Sequence, residues 1–293
     1  MAITTKRKIL FTAAAFIVSA LIIGYFAAGR ETRGIINYYA WKTFSRDSGK
    51  GHRVPINDIT LYYEIHGSGK PVLLMHGGLV FIESFYNQIP ALAKEFRVIA
   101  PDSRAHGRST DTDRPLSYRQ MSKDMAGLLD KLKIKKADIV GWSDGGIIGL
   151  DLAMNRPDLV NKLVVIGTNF NTAGLDPKGV EETKKMTPET AELKPARDFY
   201  ERVAPDPGRW PVFFEKVRTM WLTQPDYAPS DLKKIGAPTL IILGEKDSIK
   251  RDHGEEMQRL IPGSRFLIIK GASHFVGMEK PDELNKAILD FLK

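Results

Sequence analysis

Short apolar runs recur along the chain with room for a helix between them, and this rhythm most restricts the possible folds. The runs are rich in Val, Ile and Leu, and they are 72–75, 98–100, 139–140, 163–166, 239–243 and 266–269. Near-continuous apolar strands are typical of a sheet that is covered on both faces. Amphipathic periodicity between the runs, as in 121–132 and 284–291, predicts the covering helices. The sequence therefore predicts an α/β fold with a doubly wound, mainly parallel sheet.

Two segments depart from this rhythm. Residues 59–65 alternate apolar and polar positions, which predicts an antiparallel strand at the edge of the sheet. Between 169 and 229 there is no clear strand pattern, and helical patches with many aromatic residues lie between prolines. We interpret 169–229 as a helical cap that is inserted into a core formed by 54–168 and 230–293.

The N-terminal region differs in composition from the rest. Residues 1–8 form a basic tail, and residues 9–29 are uncharged and mostly apolar. A helix over 9–29 would be about 31 Å long, which matches the hydrocarbon thickness of a bilayer. We expect a single-pass transmembrane anchor there, a polar juxtamembrane stalk over 30–53, and an extracytoplasmic main domain. The alternative is a signal segment whose cleavage leaves a secreted or periplasmic protein.

Composition excludes several kinds of site and partner. The chain has no cysteine, so it can form neither a disulfide nor a thiolate nucleophile nor a cysteine-ligated metal centre. Its net charge is +8, but three of the positive charges lie at 6–8 and no basic run occurs elsewhere. Nucleic acid is therefore not a predicted partner. No H-E-x-x-H or similar spacing occurs, and we predict neither a metal nor another cofactor.

A serine lies at the turn between a predicted strand and a predicted helix. The apolar strand 137–140 leads into Gly141-Trp142-Ser143-Asp144-Gly145, and a helical pattern follows from 147. This is the G-x-S-x-G pattern, in which a sharp turn holds the serine hydroxyl clear of the sheet. Glycine is needed on both sides of the serine because a Cβ would clash where strand and helix nearly touch. Ser143 is therefore a candidate nucleophile.

A serine hydroxyl becomes nucleophilic only when an oriented base takes its proton. Asp247 follows the apolar run 239–243, and His274 follows the run 266–269. The order serine, acid, histidine is the order found in this architecture, and open α/β sheets place their sites at the carboxyl ends of strands. We predict Ser143, Asp247 and His274 as a catalytic triad, and Glu245 is the rival for the acid.

The transition state of such a reaction also needs hydrogen-bond donors for its oxyanion. The backbone N–H of Gly78, which follows the run 72–75, and that of Asp144 are the predicted donors. Two roles are open for the Asp144 carboxylate. It could satisfy the dipole of the helix that it begins, or it could attract a cationic group of the substrate, such as a free amine. Asp144 and its neighbour Trp142 are the candidate substrate-binding residues.

With these motifs in place, residues 54–293 resemble the α/β-hydrolase fold superfamily. The resemblance also rests on His76-Gly77-Gly78 and on the stretch 102–109, in which Ala105 replaces a frequent glycine. The Gly-Trp-Ser-Asp-Gly-Gly elbow and residues 243–247 look most like the biphenyl-hydrolase-like (valacyclovir hydrolase-like) serine esterases. Members with these motifs carry a helical cap. Epoxide hydrolases and haloalkane dehalogenases of this fold have aspartate at the elbow, so Ser143 disfavours their chemistry.

Residues and resemblance together predict a serine hydrolase that cleaves a small to medium carboxylic ester through an acyl-enzyme. The same triad could instead serve hydrolysis of an amide, thioester, lactone or C–C bond, or cofactor-free perhydrolysis. A non-catalytic binding protein on the same fold is the alternative from another class.

Overall fold

An eight-stranded sheet organises the part of the chain that the computed structural model describes, residues 29–293. The strands are β1 (Gly51–Ile56), β2 (Ile59–His66), β3 (Lys70–Met75), β4 (Phe96–Asp102), β5 (Ala137–Trp142), β6 (Val160–Ile166), β7 (Thr239–Lys246) and β8 (Arg265–Ser273). Their order across the sheet is β1-β2-β4-β3-β5-β6-β7-β8. All pairs from β4 to β8 are parallel, which confirms the mainly parallel sheet.

The strand at 59–65 is antiparallel, as predicted, but it does not lie at the edge. β2 pairs antiparallel with β4 on one side and with β1 on the other. β1 and β2 form a tight hairpin, and Asn57 at its turn has a positive φ of 52°. β1 escapes sequence analysis because its first three residues are exposed and polar or glycine, and only Val54 and Ile56 are buried.

Helices connect most of the strands in chain order, and one helix precedes β1 in the chain. They are α1 (Arg30–Phe44), α2 (Gln88–Leu92), α3 (Tyr118–Lys131), α4 (Asp144–Asn155), α5 (Pro177–Lys185), α6 (Lys194–Val203), α7 (Trp210–Thr223), α8 (Pro229–Leu232), α9 (Arg251–Leu260), α10 (Val276–Glu279) and α11 (Pro281–Leu292). Successive residues of a strand face opposite sides of a sheet. Because every residue of β5 is buried, the centre of the sheet is covered on both faces.

Four helices, α5 to α8, form between β6 and β7, the interval in which we predicted a cap. The described residues of this interval contribute only single bridges, Asn171 with Asp226 and Leu175 with Ile249, and no strand of the sheet. Residues 46–293 form one compact unit, to which α1 does not belong. The division of that unit into core and cap remains a prediction.

The prediction of a transmembrane helix is contradicted. Among residues 29–293 no helix is long and apolar enough to cross a membrane, and 9–28 lie outside the described residues. α1 has 15 residues and carries four cationic or acidic side chains. It is about 22 Å long, short of the roughly 30 Å of a bilayer core. The predicted stalk, 30–53, consists instead of α1, a short connection and the start of β1. The localisation derived from the anchor, extracytoplasmic on the membrane or released by cleavage, is withdrawn with it.

A buried ion pair fixes the loop that follows β4. The Arg104 guanidinium donates from Nε to Asp124 Oδ2 at 2.7 Å and from Nη2 to Asp124 Oδ1 at 2.8 Å. The side chains of Arg104 and Asp124 are 3% and 0% exposed. Arg104 also reaches Asp58 at 2.6 Å. Because Asp124 lies on α3, the pair holds the loop against that helix.

Asp124→Ala leaves the buried guanidinium with only its Asp58 partner. Breaking a buried pair costs about 3–5 kcal/mol, and we expect a loss of about 3 kcal/mol in the free energy of unfolding. Asp130→Ala is the matched control, because the Asp130 and Arg156 side chains are 54% and 36% exposed. There the expected loss is below about 1 kcal/mol. Urea unfolding of both variants measures the difference, and equal losses would contradict the role of the buried pair.

Candidate active site

Ser143 lies in a strained turn between β5 and α4. Its φ of 54° and ψ of −119° are a conformation that a residue with a side chain rarely adopts. The turn is possible because strand and helix approach closely at two glycines. A Cβ on Gly141 would lie 2.2 Å from the carbonyl oxygen of Gly145, and one on Gly145 would lie 2.1 Å from that of Met75. The turn therefore sets Ser143 at the carboxyl end of β5, as the G-x-S-x-G pattern predicts.

The structure brings Ser143, His274 and Asp247 into one hydrogen-bonded series. Ser143 Oγ lies 3.0 Å from His274 Nε2, and His274 Nδ1 lies 2.8 Å from Asp247 Oδ1. The Asp247 side chain is 1% exposed. Its oxygens also accept hydrogen bonds from the backbone N–H groups of Ile249 and Gly244. A carboxylate held in this way favours the imidazole tautomer with the proton on Nδ1, which leaves Nε2 free to accept the serine proton.

The other acids near the strand ends do not contact the histidine. Glu245 accepts a hydrogen bond from the backbone N–H of Gly271 at 2.8 Å on the exposed side of β8. Asp102 is fully buried, and it accepts from the N–H groups of Ile82 and Arg108 and pairs with the Arg108 guanidinium. Both carboxylates fix local backbone, so Asp247 has the geometry of the acid.

The two residues predicted to supply oxyanion donors, Gly78 and Asp144, lie next to Ser143. A Cβ on Gly77 would lie 3.1 Å from Ser143 Cβ, so the loop that carries Gly78 passes directly beside the serine. Asp144 is the first residue of α4 and follows Ser143 in the chain. Within residues 29–293 the backbone N–H groups of Gly78 and Asp144 donate to no other residue. Both donors are therefore available to an oxyanion.

Two buried histidines hold the loop after β3. Ser103 N–H donates to His76 Nε2 at 3.0 Å, and Leu79 N–H donates to His106 Nε2 at 3.3 Å. Burial lowers the pKa of His76 to about 4 and that of His106 to about 3. Both rings are thus neutral acceptors at neutral pH, and they tie the loop of Gly78 to the loop after β4.

The Asp144 carboxylate is buried, and among the described residues no Lys or Arg is paired with it. Tyr118 OH donates to its Oδ1 at 2.9 Å, and the Trp221 indole N–H lies 2.9 Å from Oδ1 and 3.0 Å from Oδ2. Burial raises the pKa of Asp144 to about 6, although the hydrogen bonds from Trp221 and Tyr118 oppose the shift. Sequence analysis did not identify Tyr118 or Trp221, because neither belongs to a motif.

Trp142, the other candidate substrate-binding residue, lies beside His274. Its indole N–H donates to the backbone carbonyl of His274 at 2.9 Å, and its ring centre is 5.8 Å from that of His274. The side chain is not among those that line the cavity beside Ser143. The structure therefore places Trp142 beside His274, outside the lining of that cavity, and a role for it in substrate binding remains a prediction.

A cavity of about 270 Å³ opens beside Ser143 and His274. The residues between β6 and β7 supply much of its wall, including Leu175, Asp176, Gly179, Val180, Met186 and Trp221. In the described part of the chain no Lys or Arg lines it, whereas Asp144 and Asp176 do. The cavity therefore suits a small, mostly apolar ligand and offers no cation to an anionic one.

Comparisons with known proteins agree with this geometry. Residues 66–287 match the family model described as the alpha/beta hydrolase family. The human serine hydrolase BPHL is 30% identical over 82% of this chain and 86% of its own length. The 2-hydroxy-6-oxo-6-phenylhexa-2,4-dienoate hydrolase of Comamonas testosteroni is 27% identical over 81% of this chain and 93% of its own.

Solved structures show a similarity to hydrolases as well. A thermophilic esterase from Thermogutta terrifontis superposes with a TM-score of 0.67 at 26% identity, covering 83% of this chain and 98% of the esterase. The resemblance inferred from the motifs is confirmed. The matched region contains β3 to β8 and the strained serine turn, and the chain belongs to the alpha/beta hydrolase family.

Proposed function

We propose that this hydrolase is a serine esterase that cleaves small to medium carboxylic esters through Ser143, His274 and Asp247. The observation that carries the proposal is the hydrogen-bonded series from Ser143 Oγ to His274 Nε2 and from Nδ1 to Asp247. The serine lies at the mouth of a mostly apolar cavity, where an acyl group can bind beside the nucleophile.

Each residue then has a defined part in the reaction. Ser143 Oγ attacks the ester carbonyl while His274 Nε2 takes its proton, and Asp247 stabilises the imidazolium. The N–H groups of Gly78 and Asp144 bind the oxyanion of the tetrahedral intermediate. His274 returns the proton to the departing alcohol, which leaves an acyl group on Ser143. A water molecule then gives a proton to His274 and attacks the acyl carbonyl. His274 returns that proton to Ser143 Oγ as the acid leaves, which restores the free enzyme.

The charge of the cavity separates esters from one alternative. The Comamonas relative is named for a dienoate, which is an anion. A buried anionic group needs a cationic or strongly hydrogen-bonding partner. The lining of this cavity offers Asp144 and Asp176 but neither Lys nor Arg among the described residues. We therefore place C–C hydrolysis of such acids below hydrolysis of neutral esters.

Asp144 favours a second candidate within the same chemistry, an ester that carries a free amine. Its carboxylate lines the cavity beside Ser143, and within residues 29–293 no Lys or Arg is paired with it. An ammonium group bound there would neutralise a charge whose burial is costly. The acyl part of an amino-acid ester would place such a group near Ser143.

Ser143→Ala removes the nucleophile and is expected to lower turnover of chromogenic acyl esters at least a thousandfold. Ser264→Ala makes the same substitution in the loop before β8, outside the cavity, and is expected to retain parental turnover. Initial rates on an ester panel, with thermal unfolding to compare folding, measure both. Parental turnover in Ser143→Ala would remove the basis of the proposal.

Asp144→Asn keeps the size of the side chain and removes its charge. We compare an α-amino-acid ester with the same ester lacking the amino group at pH 7, above the pKa of Asp144 of about 6. An α-amino group, with a pKa of about 7.7–8.0, is then protonated. The parent is expected to prefer the amine by about tenfold or more, to lose that preference as the pH falls through 6, and to lose it at pH 7 in Asp144→Asn. An unchanged ratio of kcat/KM would exclude the amine interaction.

Gly179 on α5 leaves space in the cavity wall, because a Cβ added to it would meet no atom within 4 Å. Gly179→Phe is expected to reduce kcat/KM for long-chain esters about tenfold or more while acetate and propionate esters retain theirs. Each substrate methylene that the phenyl ring keeps out of the apolar cavity costs about 0.8 kcal/mol of binding. Exclusion of about two methylenes therefore suffices for a tenfold loss. Gly236→Phe is the control, since its Cβ also meets open space but lies outside the cavity. A uniform change across chain lengths would contradict this role.

A further inference from the structure

One side chain from the segment between β6 and β7 touches both residues that supply the proposed oxyanion donors. It is Trp221 on α7, whose indole N–H lies 2.9 Å and 3.0 Å from the two carboxylate oxygens of Asp144. The bond is shared between both oxygens, so it fixes the plane of the carboxylate as well as its position. Tyr118 OH, from α3, holds Oδ1 from another direction.

The Gly78 backbone packs against the same two side chains, Asp144 and Trp221. A Cβ on Gly78 would lie 2.4 Å from Asp144 Oδ2 and 2.6 Å from Trp221 Cζ2. Both separations are far below a van der Waals contact, so the Gly78 backbone packs directly against the carboxylate and the indole. We call these three residues, Gly78, Asp144 and Trp221, the oxyanion joint.

The indole reaches this joint because α7 is tied to the rest of the unit near both ends. Before the helix, Arg209 pairs with Asp111 at 3.1 Å, and in its second turn Lys216 pairs with Asp111 at 2.8 Å. After the helix, the Gln224 amide donates to the Leu116 carbonyl at 3.3 Å. The position of the Trp221 indole is thus fixed by contacts before, within and after α7.

Oxyanion donors act only when they lie about 2.7–3.1 Å from the developing charge, so small displacements remove their effect. Asp144 begins α4, and its N–H belongs to the peptide group whose Ser143 carbonyl accepts from the N–H groups of Gly146 at 2.9 Å and Ile147 at 3.1 Å. The buried Asp144 side chain adds a second restraint on the same residue, through its hydrogen bonds to Trp221 and Tyr118. On the other side, the loop of Gly78 rests against the same carboxylate and indole.

We propose that Trp221 is a positioning residue for catalysis, which sets the N–H groups of Gly78 and Asp144 by clamping the Asp144 carboxylate between α7 and the loop after β3. The inference rests on the proposed function, because it assigns the oxyanion donors of that reaction. It also provides a side chain through which two backbone donors, which substitution cannot delete, become accessible to experiment.

Trp221→Phe in the full chain removes the indole donor and retains an aromatic ring in the cavity wall. We expect kcat on a neutral ester to fall about 10- to 100-fold, less than the 10²–10³ that loss of a whole donor costs. KM is expected to stay within about threefold. Leu222→Ala is the comparison, since Leu222 lines the cavity but is not bonded to Asp144, and its effect is expected in KM rather than in kcat.

An alkylboronic acid separates positioning from substrate contact. Its boron accepts an electron pair from Ser143 Oγ, the serine proton passes to His274, and a tetrahedral boronate anion forms without a leaving group. One hydroxyl oxygen of this boronate lies where the oxyanion of the transition state would be. The inhibition constant of the boronic acid is expected to rise in Trp221→Phe by about the factor by which kcat falls, and to rise in Leu222→Ala only by about the factor by which KM rises.

Gly78→Ala disrupts the oxyanion joint at Gly78 and leaves the Trp221 indole unchanged. Its Cβ cannot be accommodated at 2.4 Å and 2.6 Å without moving the carboxylate or the ring. The same pattern of lower kcat and weaker boronate binding is expected, and the double variant should lose less than the product of the two single factors. If Trp221→Phe fails to fold, as thermal unfolding would reveal, Gly78→Ala alone decides.

The outcomes distinguish this inference from the proposed function. Unchanged kcat and boronate affinity in Trp221→Phe or, where that variant does not fold, in Gly78→Ala would overturn it while Ser143→Ala still abolishes turnover. A change confined to KM would overturn it as well, because Trp221 would then only contact the substrate. If Ser143→Ala keeps its turnover, the proposed function itself fails, and the inference fails with it.

Discussion

The close approach of β5 and α4 is the constraint on which the rest of the site depends. Gly141 and Gly145 bring strand and helix so near that a single Cβ would overlap a backbone carbonyl, and between them Ser143 takes a positive φ of 54°. Such strain costs about 1–3 kcal/mol and persists only where the surroundings over-determine it. They do so here because β5 is buried along its whole length at the centre of the sheet. The neighbouring strands then end at the same edge, and their loops deliver Gly78, Asp247 and His274 to the serine.

The parts of this arrangement that could be predicted from sequence are those with a local signal. An apolar run announces a strand, and the residue after it lies at the carboxyl edge of the sheet, so Ser143, Asp247 and His274 could be named without coordinates. β1 was missed because a half-exposed strand with polar residues lacks that signal. Trp221 was missed for a different reason, since it lies 77 residues from the carboxylate that it binds. Only the packing of α7 joins them, and no pattern in the chain encodes that distance. Trp142 shows the converse, because it precedes Ser143 in the sequence while its indole N–H donates to the backbone carbonyl of His274.

Net charge proves a poor guide to the site. The chain carries a net charge of +8, yet the cavity presents Asp144 and Asp176 and, within the described residues, no Lys or Arg. Net charge describes solubility and long-range association, whereas a ligand meets the few groups that it displaces from water. Asp144 is the decisive group, because burial has raised its pKa to about 6 and two neutral donors compensate it only in part. The free energy of the ionised Asp144 carboxylate therefore depends both on a cation bound in the cavity and on the hydrogen bond from the Trp221 indole.

Two helices between β6 and β7 then have different kinds of influence on the reaction. α5 contributes Gly179, Val180 and Thr183 to the cavity wall, and contacts of this kind act on whatever part of the substrate lies beyond the carbonyl. α7 contributes Trp221, which is hydrogen-bonded to the residue that follows the nucleophile. Substitutions on α5 can change which ligand fits without altering the contacts among Ser143, His274 and Asp247. Substitutions at the end of α7 also affect Asp144, because the same indole lines the cavity and restrains that carboxylate. In such a chain, substitutions on α5 can change which substrate fits, provided that α7 keeps the Asp144 carboxylate in place.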